Sequence, residues 1–323
     1  GKPACLASTL PIDAYRLGSN TKSRAGGSMI SVGVCLLFRN HSVSPPDMAR
    51  AVEELGFDSL FVPENTHMPV RRRRTAPYPQ ERMKMLGSLF DPFVTLSACA
   101  AVTSRISLGM SVCLLTHRDP IATAKSVSSL DVISGGRLIL GVAGGFVAEA
   151  MENHGSSFKQ RWPIVHEAIL AMRAIWQQDE PEFHGEFFDF GPITTSAKPL
   201  QEGGPPIWIG SNSSAVPDRV ADYADGWIVF DGRYNGDAIA DLQSACKQRE
   251  RDFNEITVTL MDAPQNDEGL RNRYNKGYRR FIFMVTVENA ADCLQTLDEL
   301  SKLTTRLKTE CATNHKGLLR SMN

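Results

Sequence analysis

From Met29 onward, short apolar runs rich in β-branched residues alternate with stretches whose apolar positions recur at helical spacing. That alternation predicts βαβ units and a parallel sheet, hence an α/β fold. The predicted strands are Ile30–Phe38, Ser59–Val62, Ile106–Val112, Leu138–Val142, Ile207–Ile209, Gly226–Phe230, Ile256–Met261 and Arg280–Val285. The count reaches about eight, the number that closes a (β/α)8 TIM barrel.

Helix starts are marked by a capping side chain followed by proline at the first helical position, as at Ser44-Pro45, Asp91-Pro92 and Asp119-Pro120. The first of these helices should close at Gly56 and the second run through Ala101. Arg161–Trp176 places Ile164, Ala168, Ala171 and Ile175 on one face, and Val216–Tyr223 and Asp237–Phe253 read as further helices. The long stretch after the second strand carries Pro69, Pro77 and Pro79 and is expected to be a loop. Asp267–Lys276 is a poor helix with Gly269 inside it and is expected to be irregular. Glu180–Pro206 reads as an insertion in which FHGEFFDF forms a small hairpin of packing aromatics.

The densest pattern is LDVISGGRLILGVAGGFVAE, from Leu130 to Glu149. Leu130 to Ile133 finish an amphipathic helix, Gly135 and Gly136 supply a left-handed stop, and Leu138–Val142 is a strand. Gly144 and Gly145 then leave the strand exit without side chains, where a planar ring or a phosphate could approach the backbone. Ordinary loop geometry would use the same glycines, and the acidic residue that completes a dinucleotide fingerprint is absent.

A chain of 323 residues, 42% of them hydrophobic, can bury a large core, and a net charge of -1 gives no field for nucleic acid or an anionic membrane. A small-molecule substrate is the expected partner. Cys5, Cys35, Cys99, Cys113, Cys246, Cys293 and Cys311 form no CxxC pair and read as reduced, mostly buried thiols of a cytoplasmic protein. The histidines show no HExxH or close pair, so no metal is expected. Residues 1–28 are polar, carry Lys2, Arg16, Lys22 and Arg24, and lack the apolar run of a secretory signal. They are expected to be a disordered leader or an added extension, with 29–323 as one domain.

Several short motifs then fall in a shared order: PENTHMP (Pro63 to Pro69), DPFVTLSACAAVTSRISLGMSV (Asp91 to Val112), RDP (Arg118 to Pro120), LDVISGGRLILGVAGGF, EPEFHGEFFDF (Glu180 to Phe190), PPIWIGS (Pro205 to Ser211) and ADYADGW (Ala221 to Trp227). On these the chain resembles the bacterial luciferase-like superfamily of flavin- and deazaflavin-dependent oxidoreductases, most closely its coenzyme F420-dependent branch. The resemblance implies a luciferase-like TIM barrel with insertion segments, a homodimer, and a ring pocket at the C-terminal ends of the strands. It implies a non-prolyl cis peptide between Ser111 and Val112 behind the ring, and a phosphate held by Gly210, Ser211 and Asn212. Gly141, Ala143 and Gly144 would border the ring and its side chain, and Asn65 would hydrogen-bond the ring. The chain departs from the family pattern at Asn65, where histidine is usual, at Ala143 and Ser211, where glycine is usual, and at Phe146, often Trp or a proton-donating Glu.

In such enzymes the cofactor carries the hydride chemistry, while the protein supplies orientation, a dry pocket and sometimes a proton. Glu64 and His67 are the catalytic candidates for proton delivery or substrate orientation. Glu149 either adds charge near a helix start or matches an acidic position of the family. Arg118, next to His117, either faces an anionic cofactor tail or pairs with Asp119 or Asp131. Arg71 to Arg74 form a basic loop that could lid the pocket and attract the polyglutamate tail of F420. Phe38, Phe146 and Trp227 suggest a partly apolar pocket. The expected function is F420-dependent hydride transfer to or from a small organic substrate, as a reductase. The rivals are an FMN-dependent monooxygenase using molecular oxygen and a non-catalytic barrel subunit.

Overall fold

A computed structural model describes residues 30–39, 43–73, 78–195 and 197–321, with side chains to residue 311. The predicted leader 1–28, with Cys5, lies outside the described residues. Eight strands make the barrel: β1 (Ser31–Leu37), β2 (Ser59–Val62), β3 (Ser107–Met110), β5 (Leu138–Ala143), β8 (Ile207–Gly210), β9 (Gly226–Phe230), β10 (Thr257–Met261) and β11 (Arg280–Thr286). Neighbours pair in parallel in the order β3-β2-β1-β11-β10-β9-β8-β5, and β3 pairs with β5 to close the circle. β4 (Cys113–Leu114) pairs with the end of β5, and β6 (Phe183–His184) with β7 (Asp189–Phe190) is the predicted hairpin.

Side chains alternate across each strand, so one set packs outward on helices and the other fills the barrel. The inner set includes Cys35, Leu37, Phe61, Ile139, Trp208, Ile228, Met261 and Ile282. Phe61 and Trp208 stack with ring centroids 6.1 Å apart. Two large rings fit because Gly109 and Gly226 lie against them, where any Cβ would collide with Phe61 or Trp208 respectively. Burial pushes the thiols of Cys35 and Cys99 up to about 12, so both stay protonated and inert.

The three predicted cap-proline helix starts form as read. Ser44 caps α1 (Pro45–Glu54), and Asp91 caps α3 (Pro92–Ala100) by accepting from the N–H groups of Phe93 and Val94 at 2.9 and 3.0 Å. Asp119 caps α4 (Pro120–Ser134), which stops at the left-handed Gly135, φ 69°. α6 (Arg161–Gln177) and α7 (Val216–Tyr223) also follow the pattern. Glu167 of α6 accepts from the N–H groups of Glu186, Phe187 and Phe188, at 2.9, 2.7 and 2.6 Å, which anchors the turn of the β6–β7 hairpin.

Four expectations need correction. The presumed loop after β2 contains α2 (Gln80–Leu86), which Pro79 opens and buried Met83 and Leu86 anchor. The strand predicted to run through Val112 stops at Met110; the Ser111–Val112 peptide that follows is cis, and the chain resumes as β4. α8 (Ala238–Gln248) ends before Phe253, since Glu250 adopts φ 54° and the Cys246 carbonyl takes both the Arg249 and Arg251 N–H groups. Asp267–Lys276, expected to be irregular, holds α9 (Asp267–Asn275): Asn266 accepts from the Gly269 N–H at 2.7 Å, and Gly269 fits against Pro264 where a Cβ would not. The remaining helices are α5 (Ala148–Asn153), unpredicted, and α10 (Ala290–Ser321). Among the described residues no helix is long and apolar enough to cross a membrane.

Candidate active site

The C-terminal strand ends gather Glu64 to His67 after β2, Ser111 to Arg118 after β3, Gly144 and Gly145 after β5, and Gly210 to Asn212 after β8. Glu64 is 3% exposed. One carboxylate oxygen accepts from the Leu114 N–H at 2.7 Å, and the other accepts from Arg118 Nε at 2.6 Å and pairs with Arg118 Nη2. Arg118 also reaches Asp91 at 2.9 Å and lies over the Phe93 ring. Burial disfavours the Arg118 charge, but the Glu64 hydrogen bonds and charge outweigh it and hold its pKa above the ordinary arginine value. Arg118 therefore pairs with Glu64 and Asp91, not with the expected Asp119 or Asp131: Asp119 is occupied as a helix cap and Asp131 accepts from Gln201.

Thr66 connects three histidines. Its hydroxyl lies 3.0 Å from His67 Nδ1, 3.3 Å from His117 Nδ1 and 3.1 Å from His154 Nε2. The Asn153 amide lies 2.8 Å from His67 Nε2. An amide N–H donated there leaves the proton of a neutral His67 ring on Nδ1, facing the threonine. The His117 and His154 rings stack at 4.8 Å and 15°. Burial first, then the His154, His67 and Arg118 charges, pushes His117 down to about 4, so it is neutral at physiological pH. Burial and the His67 charge also lower His154, against the opposing pull of Glu64. Sequence reading singled out His67 and His117 but not Thr66 or His154. His154 lies at the end of α5, whose existence the pattern did not reveal.

Ser111 Oγ and His117 Nε2, both buried at this mouth, have no hydrogen-bond partner among the described residues. Ser111 is 8% exposed and follows the inward-facing register of Gly109 beside the cis peptide to Val112. The glycines behave differently from one another. A Cβ at Gly141 would strike the Met110 carbonyl, and one at Gly210 would strike Val112, so both glycines are required by protein packing. Gly144 backs onto Arg161 at 3.1 Å, and its carbonyl accepts from Thr116. Ala143 is 7% exposed at the end of β5.

Across the mouth, Asn212 accepts from the Phe230 N–H at 3.0 Å, and Trp227 Nε1 donates to the Ser211 carbonyl at 2.8 Å. The following helix, α7, has no side-chain cap; its Val216 N–H donates to the Ser213 carbonyl at 3.0 Å, and Pro217 has no N–H. Asn65 is half-buried on the opposite side. Of the three pocket aromatics considered, Phe38 and Trp227 belong to the core, and Phe146 is exposed and edge-on to Tyr78 at 5.6 Å. Tyr78 also accepts from Arg233 and lies beneath Arg82, which ties the start of α2 to the loop after β9. Met85 and Leu89 then pack over the inner core from above. The basic loop does not stand free: Arg73 bonds Glu149 and Glu152 of α5, and Arg74 lies outside the described residues. Among the described residues no group of histidine, cysteine and acidic side chains has the arrangement of a metal site.

Residues 30–310 match the family described as luciferase-like monooxygenase. An uncharacterised protein of Mycobacterium tuberculosis is 37% identical over 203 residues, covering 61% of this chain and 71% of that protein. The F420-dependent glucose-6-phosphate dehydrogenase of Nocardia farcinica is 29% identical over 192 residues, 58% of this chain and 53% of that enzyme. Among solved structures, monooxygenase RslO1 from Streptomyces bottropensis superposes with a TM-score of 0.70 at 16% identity, over 84% of this chain and 98% of that one. A closed parallel barrel, the motif order along its strand ends and a match over nearly its whole described length agree: the chain belongs to the luciferase-like monooxygenase family.

Proposed function

We propose that the protein is an F420-dependent oxidoreductase that moves hydride between the deazaflavin and a small organic substrate, in the direction of substrate reduction. The observation that carries this reading is the pair of orphaned buried polar atoms, Ser111 Oγ and His117 Nε2, at the strand ends. Buried polar atoms without partners are rare in folded proteins and mark where a ligand is received. The relative named as F420-dependent supports the deazaflavin over a flavin.

When bound, the cofactor supplies the hydride. Gly210, Ser211 and Asn212 would hold its phosphate. Ser111, Val112, Gly141, Ala143 and Gly144 would border the ring, and Asn65 would hydrogen-bond it. His67, held by Thr66 and Asn153, would hold or deliver the proton that accompanies hydride transfer. Glu64 acts as a positioning residue, since through Leu114 and Arg118 it fixes the segment that follows the cis peptide. Exposed Phe90, Val94 and Ile133 around α3 and α4 favour a homodimer, and the protein is assigned to the cytoplasm.

Fluorescence titration of the protein with F420 and with FMN, at one ionic strength, tests the reading. Tight F420 binding with weak FMN binding is expected, and Asn65→Ala should weaken it about tenfold by loss of one hydrogen bond. His67→Gln should lower turnover by about a hundredfold while leaving cofactor affinity unchanged. A preference for FMN would move the protein to oxygen-dependent monooxygenation. Failure to bind either cofactor would make it a non-catalytic barrel.

A further inference from the structure

At the opposite, N-terminal end of the barrel the interior is polar. Ser31 pairs in register with Arg280 across β1 and β11, and Arg280 pairs with Thr259 across β11 and β10. Ser59 lies opposite Gly33 across β2 and β1, and its hydroxyl occupies the space a Cβ would need at Gly33. By the two-residue alternation of each strand, these four side chains share the face of Cys35, Phe61, Met261 and Ile282, which is the inside of the barrel. Arg280 crosses that interior, with its guanidinium 5.2 Å from the centre of the Trp208 ring.

Ser31 Oγ, Ser59 Oγ, Thr259 Oγ1 and Arg280 Nη1 are all buried and all lack a hydrogen-bond partner. Asp58, the acid just ahead of β2, is engaged by the Val32 N–H at 2.7 Å and by Lys308 Nζ at 2.9 Å. Among the described residues no carboxylate forms an ion pair with Arg280. The Asp58 charge favours the Arg280 cation without pairing with it, but burial outweighs that pull and lowers the Arg280 pKa, and buried hydroxyls without partners are disfavoured as well. Each of the four groups can donate a hydrogen bond. A water oxygen accepts about two, whereas a halide accepts from all sides.

We propose that the floor of the barrel is a binding site for a small inorganic anion of the chloride type, held by Arg280, Ser31, Ser59 and Thr259. The site lies at the end of the barrel remote from the cofactor mouth, so it is structural and independent of the reading given above. Its occupant neutralises Arg280 and satisfies the three hydroxyls, which ties β1, β2, β10 and β11 together at the floor.

The test is thermal unfolding of the full chain in sodium chloride and in sodium gluconate at equal ionic strength, together with diffraction from bromide-soaked crystals. Chloride should raise the midpoint by about 2–4 °C, with saturation, and bromide should give an anomalous peak among the four side chains. Arg280→Met should abolish the chloride effect. Should that variant fail to fold, Ser59→Ala and Thr259→Val decide the matter, and each should shrink the shift. Equal midpoints in the two salts overturn the proposal, as does a full chloride shift in both hydroxyl variants. A bromide peak without a chloride-dependent midpoint marks an adventitious ion only and also overturns it.

Discussion

On the flank of the mouth that follows β2, β3 and β5, side chains hold one another: Glu64 with Arg118 and Asp91, and Thr66 with three histidines. On the flank that follows β8 and β9, side chains hold backbone instead, with Asn212 on the Phe230 N–H and Trp227 on the Ser211 carbonyl. The first flank gathers titratable groups that range from buried Glu64 and His117 to exposed Asp91 and His154, and burial with neighbouring charges lowers the His117 pKa. The second fixes a loop by neutral bonds to backbone. One flank gathers titratable side chains, and the other holds its loop without them.

The sharpest break of that contrast is Glu64→Gln. It leaves Arg118 buried without its main counter-charge, and removing one partner of a buried pair costs about 3–5 kcal/mol. Asp91→Asn removes only the half-exposed partner of the same arginine and should cost under about 1 kcal/mol. Urea unfolding of the two variants measures both. Equal costs would mean that the Glu64–Arg118 pair is no more buried in energetic terms than its surface neighbour.

His117 gives the next largest effect, through pH. Its folded pKa of about 4 lies below the ordinary 6.5, so the unfolded chain binds the proton more readily. Its contribution, about 2–3 kcal/mol, is fully present above pH 6.5 and is lost as pH falls from there toward 4. Denaturant stability measured across that window should fall with acidification. The fall should be shallower in His117→Asn. An unchanged pH dependence in that variant would assign the acid sensitivity to other groups.

The barrel itself was legible because its devices are local. Asp91-Pro92, Asp119-Pro120 and Gly135-Gly136 act within one turn of chain, and strand periodicity needs only a few residues. The missed elements are those whose stability comes from distant partners. α2 is seven residues long and held by Met83 and Leu86 against other segments, and α9, with Gly269 inside it, is tied to α10 by the Arg271–Glu310 and Asp267–Arg306 ion pairs. The site was legible in its positions and less so in its connections. Glu64, His67 and Arg118 were identifiable, but the Glu64–Arg118 pair spans 54 residues of chain and the Thr66–His154 contact spans 88. No short-range pattern encodes such pairs. The glycines carry a second demand that the sequence did not reveal: a Cβ at Gly141 or Gly210 would also collide with Met110 or Val112, so protein packing alone requires glycine there.

On the second flank, Asn212→Ala removes the acceptor of the Phe230 N–H. A backbone donor left without a partner there costs about 1–2 kcal/mol, which urea unfolding would register. The same change should loosen the loop that precedes α7 and weaken phosphate binding, seen as a lower affinity for the intact cofactor than for its phosphate-free fragment scaffold. A stability loss with unaltered cofactor affinity would separate the loop from the anion site.

The smallest effect is expected for Arg73→Ala, although Arg73 makes the most ion-pair contacts of the basic loop. Its guanidinium is mostly solvent-exposed and its partner Glu152 is half-exposed, while the Glu149 side chain is largely covered; pairs with so exposed an arginine contribute little and are screened by salt. The unfolding midpoint should therefore stay at the wild-type value. What the pair does locally is different: the Arg73 N–H and side chain pin the loop onto α5, and Glu149 is held below the usual carboxylate range chiefly by that N–H. Limited proteolysis should accordingly cut the loop around Arg71 to Pro79 faster in the variant, with the barrel core unaffected. A midpoint loss as large as that of Glu64→Gln would show that the surface of this flank is as strongly coupled as its interior, and the division between the two flanks would then rest on the interior alone no longer.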